Sequence, residues 1–396
     1  MLHGQSGLTK APPDWLNEMV PYHGHHYSVF PLGAVLCMIP VALLRMAHLA
    51  GDFPSAAIVA LQGAITVFFF FELASRYGEK LSRRVLLALF PLFATWTWCN
   101  LTFGGAWQIA LGFALMGQAG ALYFIRANRH PLLAGLFFAI AFGNRTEVML
   151  TAPLFLYLLL RPADQTAKAG EQLSLDLQYG KSNITGRERR WARKWEALGR
   201  ITDALRSPAG DAVLFLIVPF VLGVCTLAYN YQRFGSISDF GYARIPGILQ
   251  EPWYKHGIFS LSAIPGNARA MIWNTWKRIP NYPYLTPNGF GESIFLSCPL
   301  LFLLFRPGRR YGDRALKWCA WIAVVLLTFL LWIHGNTGGW QYSYRYAMVL
   351  LPWMFTIMLE CGEPKWPWME KALFGISVTI NAWATYLFLW TQYVRP

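Results

Sequence analysis

Residues 137–155 read FFAIAFGNRTEVMLTAPLF, an apolar run broken once, by Asn144-Arg145-Thr146-Glu147. Arg145 and Glu147 are the two residues of this stretch that can do chemistry. A guanidinium is a planar fork that donates two parallel hydrogen bonds to the oxygens of a phosphate or carboxylate. A carboxylate two positions on either pairs with it or offers its own oxygens to a bound ligand. Inside lipid such charges are tolerated only where they face protein or a wet cavity, so an arginine there is a functional candidate. Two structural roles compete with that one: a buried Arg145–Glu147 pair, and an arginine that snorkels to the interface.

Further chemistry-bearing residues collect in a few connections. The stretch HGNTGGWQYSYRYAMVLLP places His334, Trp340, Gln341, Tyr344 and Arg345 at the mouth of an apolar segment. The connection 231–291 offers Asp239, Tyr242, Arg244, Lys255, His256, Arg269, Lys277 and Arg278. The N-terminal stretch offers Asp14, Glu18 and the cluster YHGHHYSVFPLG with His23, His25 and His26. Arginines gathered with tyrosines and tryptophans suit an anionic head beside a sugar ring, as in a lipid phosphate that carries a sugar. The histidine cluster has metal-ligand chemistry but lacks an acidic or cysteine partner at a diagnostic spacing, which favours polar packing or sugar contact. G-x-S-x-G, H-E-x-x-H and Walker-type patterns are absent from the sequence.

The elements that must position these residues are membrane segments. The chain has 396 residues, of which 55% are hydrophobic and only 14% charged. Apolar stretches recur at about 29–50, 55–75, 85–103, 106–125, 131–143, 148–160, 211–230, 292–305, 318–333, 347–360 and 370–390. The longer ones reach the roughly 20 residues that a spanning helix needs. An all-α, polytopic transmembrane bundle of about ten to eleven membrane segments is therefore expected, as one domain over residues 1–396. No signal-peptide pattern opens the sequence. The formal charge of +14 sits mostly in four connections, 76–84, 126–130, 161–206 and 306–317. Basic connections mark the cytoplasmic side, so this charge implies a lipid bilayer and no nucleic-acid partner. With those four inside, 104–106, 144–147, 231–291 and 334–346 fall on the outer face. The six cysteines are scattered through apolar segments and read as small hydrophobes.

Three stretches refine this layout. The 161–206 connection contains GRERRWARKWEALGRITDALR, the pattern of an amphipathic helix lying at the membrane interface. The outer connection 231–291 is dense in Gly, Pro and aromatic residues, which predicts short helices on the outer surface that roof what lies below. Segment 29–50 carries Pro31 and Pro40, which weaken it as a regular span. If it crosses, the N-terminal stretch 1–30 lies inside; if it only dips into the outer leaflet, 1–30 is an outer stretch. Segments 131–143 and 148–160 rise only about 20 Å each as helices, short of the roughly 30 Å hydrocarbon core, so their turn at 144–147 lies at membrane depth.

The stretches HGHHYSVFPLGAVLCMIP, GNRTEVMLTAPLFLYLLL, YNYQRFGSISDFGYAR and GGWQYSYRYAMVLLPWMF, in this order, resemble bacterial multi-pass proteins of the GT-C glycosyltransferase superfamily. Their relatives are the dolichyl-phosphate-mannose–protein mannosyltransferases. The resemblance spans about residues 20–360 as loose patterns. It implies an all-helical fold in a bacterial inner membrane and a polyprenyl-phosphate sugar as donor. Transfer would take place on the outer face, with a carboxylate just after the first helix as base or metal ligand. Some relatives use a divalent metal; none is inferred from these residues. The family's first helix and its acidic motif should precede YHGHHYSVFPLG, which begins about twenty residues into this chain. The expectation is therefore a start upstream or a missing conventional acid. Asp14 and Glu18 are the carboxylates in that neighbourhood, with Asp239 a further candidate base. If the chain is such an enzyme, its residues suggest that Arg145, with Arg345 and Arg244 as further candidates, binds the phosphate with Glu147 beside it, and that Tyr242, Trp340 and Tyr344 shape the sugar pocket. Two other readings stay open: a transporter or flippase of an anionic lipid-linked substrate, and a catalytically inactive scaffold.

Overall fold

The computed structural model describes residues 7–13, 16, 18–161, 208–308 and 312–394. The amphipathic stretch of the 161–206 connection and Asp14 lie outside them. The protein is mostly helical, and among the described residues the strands are confined to two small antiparallel ribbons. Five helices among the described residues are long and apolar enough to cross a bilayer: α3 (Ser55–Ser75), α6 (Ala106–Arg126), α9 (Pro208–Phe234), α12 (Arg314–Ile333) and α14 (Pro367–Leu389). The chain is a membrane-embedded helical protein.

The other apolar stretches are shorter or broken, each at an identifiable point. Segment 29–50 splits into α1 (Leu32–Cys37) and α2 (Ile39–Met46), with Pro31 before the first helix and Pro40 in the first turn of the second. Neither piece approaches the length of a span. Residues 81–102 divide into α4 (Leu81–Phe93) and α5 (Thr97–Thr102). The hairpin expected around 144–147 forms from α7 (Pro131–Asn144), a 3-10 segment Thr146–Thr151, and α8 (Ala152–Leu160). The region 334–361 repeats that plan: a 3-10 segment Arg345–Leu350 runs into α13 (Leu351–Cys361). In both, an arginine stands at the start, and a proline follows within the first turn of the α-helix, where its missing N–H is not needed.

The described residues of the four basic connections, which for 161–206 means Arg161, gather at one end of the bundle, joined by ion pairs. Arg83 donates to both oxygens of Glu370 at 2.8 and 3.1 Å and to the Gly362 carbonyl at 2.7 Å, and it pairs with Glu79. Asp313 receives Arg126 at 3.1 Å and Arg161 at 2.8 Å, and Arg129 meets Asp211 at 2.7 Å. The connections at 104–106, 144–147, 231–291 and 334–346 meet at the opposite end. There Ser260 N–H donates to the Ile333 carbonyl at 2.7 Å and Asn100 Nδ2 donates to the Tyr342 carbonyl at 2.9 Å.

Glycines set how closely the helices approach. A Cβ at Gly117 would lie 2.6 Å from the Phe137 carbonyl oxygen, so α6 and α7 touch backbone to backbone. Gly33 of α1 crosses Gly143 of α7 so closely that neither position admits a side chain. Because α6 residue 117 stands level with α7 residues 137–141, α7 ends about 10 Å short of the outer end of α6. Arg145 follows at that depth.

Replacing Arg83 by methionine, which keeps volume but strands two buried carboxylates, is expected to destabilise the protein by about 3–5 kcal/mol. Thermal unfolding in detergent, compared with the wild type, measures it.

Candidate functional site

At the break after α7 the backbone is well satisfied. Asn144 Nδ2 donates to the Ile140 carbonyl at 2.9 Å and contacts Cys37 Sγ at 3.3 Å, tying the turn to α1. Arg145 takes an extended conformation and its carbonyl accepts the Val148 N–H at 3.1 Å. Its side chain is 12% exposed. Nε and Nη2 both reach Glu147 Oε1, at 2.7 and 2.6 Å, so the pair that the sequence left as one alternative is present. Nη1 has no hydrogen-bond partner among the described residues, which leaves one edge of the fork for a ligand oxygen.

Arg145 does not stand alone. Its guanidinium carbon lies 4.6 Å from the ring centre of Tyr346, and that of Arg345 lies 5.3 Å from the same ring. The two broken helices thus bring their leading arginines to one tyrosine. Arg345 is held by the carbonyls of Gly338 and of Trp340, the latter at 3.4 Å. Its Nε is buried without a partner among the described residues. With Glu147 committed to Arg145, the group Arg145, Glu147 and Arg345 carries one net positive charge, and the N-termini of two helical segments add to that potential.

Above it, His334 is ringed by aromatic side chains. Its ring centre lies 5.8 Å from Tyr346, 6.1 Å from Tyr242, 6.0 Å from Tyr254 and 5.7 Å from Phe259. The hydroxyls of Tyr242 and Tyr254 are 2.9 Å apart. His334 Nδ1 lies 3.0 Å from the Asn336 carbonyl, which can only accept, so Nδ1 carries the proton and Nε2 keeps its lone pair. Burial lowers the His334 pKa, helped by the charge of Arg145, so the ring is neutral at pH 7. Burial also raises Tyr242, to about 12, and its hydroxyl keeps its proton.

The N-terminal stretch closes one side. Met19–Tyr22 and His25–Ser28 form an antiparallel ribbon whose turn, His23-Gly24, has positive φ at both residues, the geometry of a tight two-residue hairpin. Its base is tied to α9 by Arg233, which donates to the carbonyls of Ser28 and Phe30. Glu18 Oε1 accepts the indole N–H of Trp107 at 2.9 Å, and that indole lies 6.4 Å from Tyr242. Glu18, Arg145, Glu147, Tyr242 and Arg345 are therefore linked through a single cluster.

The remaining sequence candidates sit elsewhere. Asp239 pairs with Arg244 at 2.6 Å and accepts the Gly241 N–H at 2.7 Å. Arg244 stacks on Tyr22 at 4.3 Å, so this pair fastens the long outer connection to the N-terminal ribbon. Trp340 packs between Phe290 and Phe388. Tyr344 is fully buried and its hydroxyl donates to the Leu331 carbonyl at 3.2 Å, which makes it a wall support. Among the described residues no group of three or more His, Cys, Asp or Glu side chains is assembled to hold a metal.

Sequence reasoning did not single out Tyr346, Tyr254, Trp107 or Glu292. Tyr346 follows Arg345 directly, so proximity to a flagged arginine was its one signal. Glu292 is 1% exposed. It accepts the Asn288 N–H through one oxygen, and its other oxygen is buried without a hydrogen-bond partner among the described residues. Burial raises its pKa to about 7, against the opposing Asn288 hydrogen bond and the charge of Lys277. Comparison with protein-family models, with curated proteins and with solved structures returns no match for this chain.

A carboxyl raised in the fold favours its protonated form there, so its contribution to stability is complete below the ordinary value of 4.5 and is lost as pH rises through about 7. Glu292→Gln is accordingly expected to remove a decline in melting temperature between pH 4.5 and about 7 that the wild type displays. A pH series of melting curves for both proteins measures the difference.

Proposed function

We propose that this protein is an integral-membrane glycosyltransferase of GT-C-like architecture, which moves a sugar from a polyprenyl-phosphate donor to an acceptor hydroxyl on a lipid, glycan or protein. The observation that carries the reading is the convergence of Arg145 and Arg345 on Tyr346 at membrane depth, beneath a layer of tyrosines. A prenyl phosphate keeps its chain in lipid and its head at that depth, and one net cation with the unused guanidinium edge of Arg145 suits it. Aromatic faces supply the stacking surface for a pyranose. The basic end is the cytoplasmic one and the protein crosses a bacterial inner membrane several times, consistent with the positive-inside rule.

In the reaction the acceptor oxygen bonds to the anomeric carbon as the bond from that carbon to the phosphate oxygen breaks. The hydroxyl proton passes to a base, and the polyprenyl phosphate leaves as an anion. Arg145 and Arg345 stabilise the charge that grows on the leaving phosphate. Two groups of the cluster are suited to the base: His334, neutral with Nε2 free, and Glu18, whose reach is set by the Trp107 hydrogen bond. The Tyr242 and Tyr254 layer belongs to the long outer connection, and its displacement admits the ligand.

A second reading has a specific observation behind it. Two discontinuous helices meeting at an anion-suited point are also how transporters build a substrate site. The same residues would then hold a lipid-linked anion in transit, with no bond made or broken.

Membranes supplied with radiolabelled sugar on a polyprenyl phosphate are expected to transfer label to an endogenous acceptor. Arg145→Ala and Arg345→Ala at matched expression are expected to lower transfer about 100-fold each, the scale of losing one charge-stabilising donor. His334→Gln tests the base. Absence of transfer with every donor, alongside protein-dependent movement of the intact labelled lipid across vesicles, would replace the enzyme by the transporter.

A further inference from the structure

At the basic end, away from the cluster just described, a groove of about 620 Å³ opens where α12 meets the 3-10 segment Pro299–Phe305 and the residues after it. Two kinds of side chain line it: the cations Arg306, Arg314 and Lys317, and the aromatics Phe305, Trp318 and Trp321. Positions 314, 317, 318 and 321 follow the spacing that places residues on one face of a helix. Along that face the charges come first, and the indoles follow about one turn deeper into the bundle.

Nearby acids are engaged mainly by other arginines, and among the described residues only Arg306 of the groove's cations shares one. Glu370 is engaged by Arg83 through both oxygens, and Asp313 by Arg126 and Arg161. Arg306 reaches Glu370 only at 3.7 Å, and both of its terminal nitrogens are buried without a hydrogen-bond partner among the described residues. Lys317 Nζ donates to the Arg306 carbonyl at 3.0 Å and so anchors the groove wall. Arg314 is exposed, Trp318 is 68% exposed and Phe305 63% exposed. Phe305 and Trp321 lie 5.7 Å apart, and together with Trp318 they form an apolar floor facing the bilayer.

A cationic rim above an aromatic floor, on the lipid-facing side of a membrane protein, matches a molecule with an anionic head and an acyl chain. We infer that this groove is a binding site for an anionic phospholipid of the leaflet at the basic end. Its phosphate lies between Arg314 and Lys317, with the buried charge of Arg306 behind them, and its chain lies along Trp318, Phe305 and Trp321. A basic surface next to the bilayer is the usual partner of anionic headgroups, and the indoles sit at the level where headgroup and chain meet. A soluble acidic protein segment would find the same charges but would have no use for exposed indoles below them.

The test is native mass spectrometry of the delipidated full chain with phosphatidylglycerol or phosphatidylcholine at equal concentration. The variants are Arg314→Gln and Trp318→Ala, both at exposed positions and both checked for unchanged melting temperature. Phosphatidylglycerol is expected to be retained at least about five-fold over phosphatidylcholine, the modest gain of a few charge contacts at a membrane surface. Arg314→Gln is expected to bring the two lipids within about two-fold, and Trp318→Ala to weaken both. Excess inorganic phosphate is expected not to displace the lipid. Equal retention of the two lipids by the wild type, or a preference that both variants leave intact, would overturn the site. Displacement by inorganic phosphate alone would show a free-anion site instead of a lipid site.

Discussion

The ionic lattice at the basic end is the baseline from which the rest of the structure is measured. Arg83 with Glu79 and Glu370, Asp313 with Arg126 and Arg161, and Arg129 with Asp211 tie the ends of six helical segments to one level. Each pair is largely buried, so each carboxylate depends on its arginine to avoid standing charged in low dielectric. Once one end is pinned, helix length alone decides where the other end stops. The 14 residues of α7 against the 21 of α6 therefore become depth, and depth is what puts Arg145 beneath the surface.

That arithmetic explains why the two arginines meet. Arg145 follows the end of α7 and Arg345 follows the outer connection 334–344, and each stands at the start of a 3-10 segment that descends into an α-helix. Both reach the ring of Tyr346 from separate parts of the chain. Asn144, Gln341 and the carbonyls of Gly338 and Trp340 absorb the polar groups that such breaks expose, which is the condition for irregular backbone at this depth. A polar cluster built this way is held by the fold before any ligand arrives.

Much of the scaffold was legible in the sequence because it follows from one-dimensional signals. The apolar runs, the prolines at 31 and 40, the charged interruption at 144–147 and the four basic connections all mark positions where the chain must turn or break. The grouping of connections at the two ends follows from counting those segments. Partnerships were not legible. Whether Arg145 would pair with Glu147 depends on side-chain direction at a helix break. That Trp107 would meet Glu18, or Tyr254 meet His334, depends on packing between residues about 80 or 90 positions apart. Five of the apolar stretches are long unbroken helices among the described residues, and where the others break was not legible, because hydropathy counts apolar residues and does not register where a helix changes to a 3-10 turn.

The crossing of Gly33 over Gly143 has a consequence for how the N-terminal region can move. Two backbones in direct contact have no side-chain rotamers between them to take up a small displacement. The α1 segment is therefore held against the end of α7 at one fixed spacing. Through Asn144 and Cys37 the same seat is joined to the turn that carries Arg145. The N-terminal ribbon and the buried arginine are in this sense joined through one tightly packed seat.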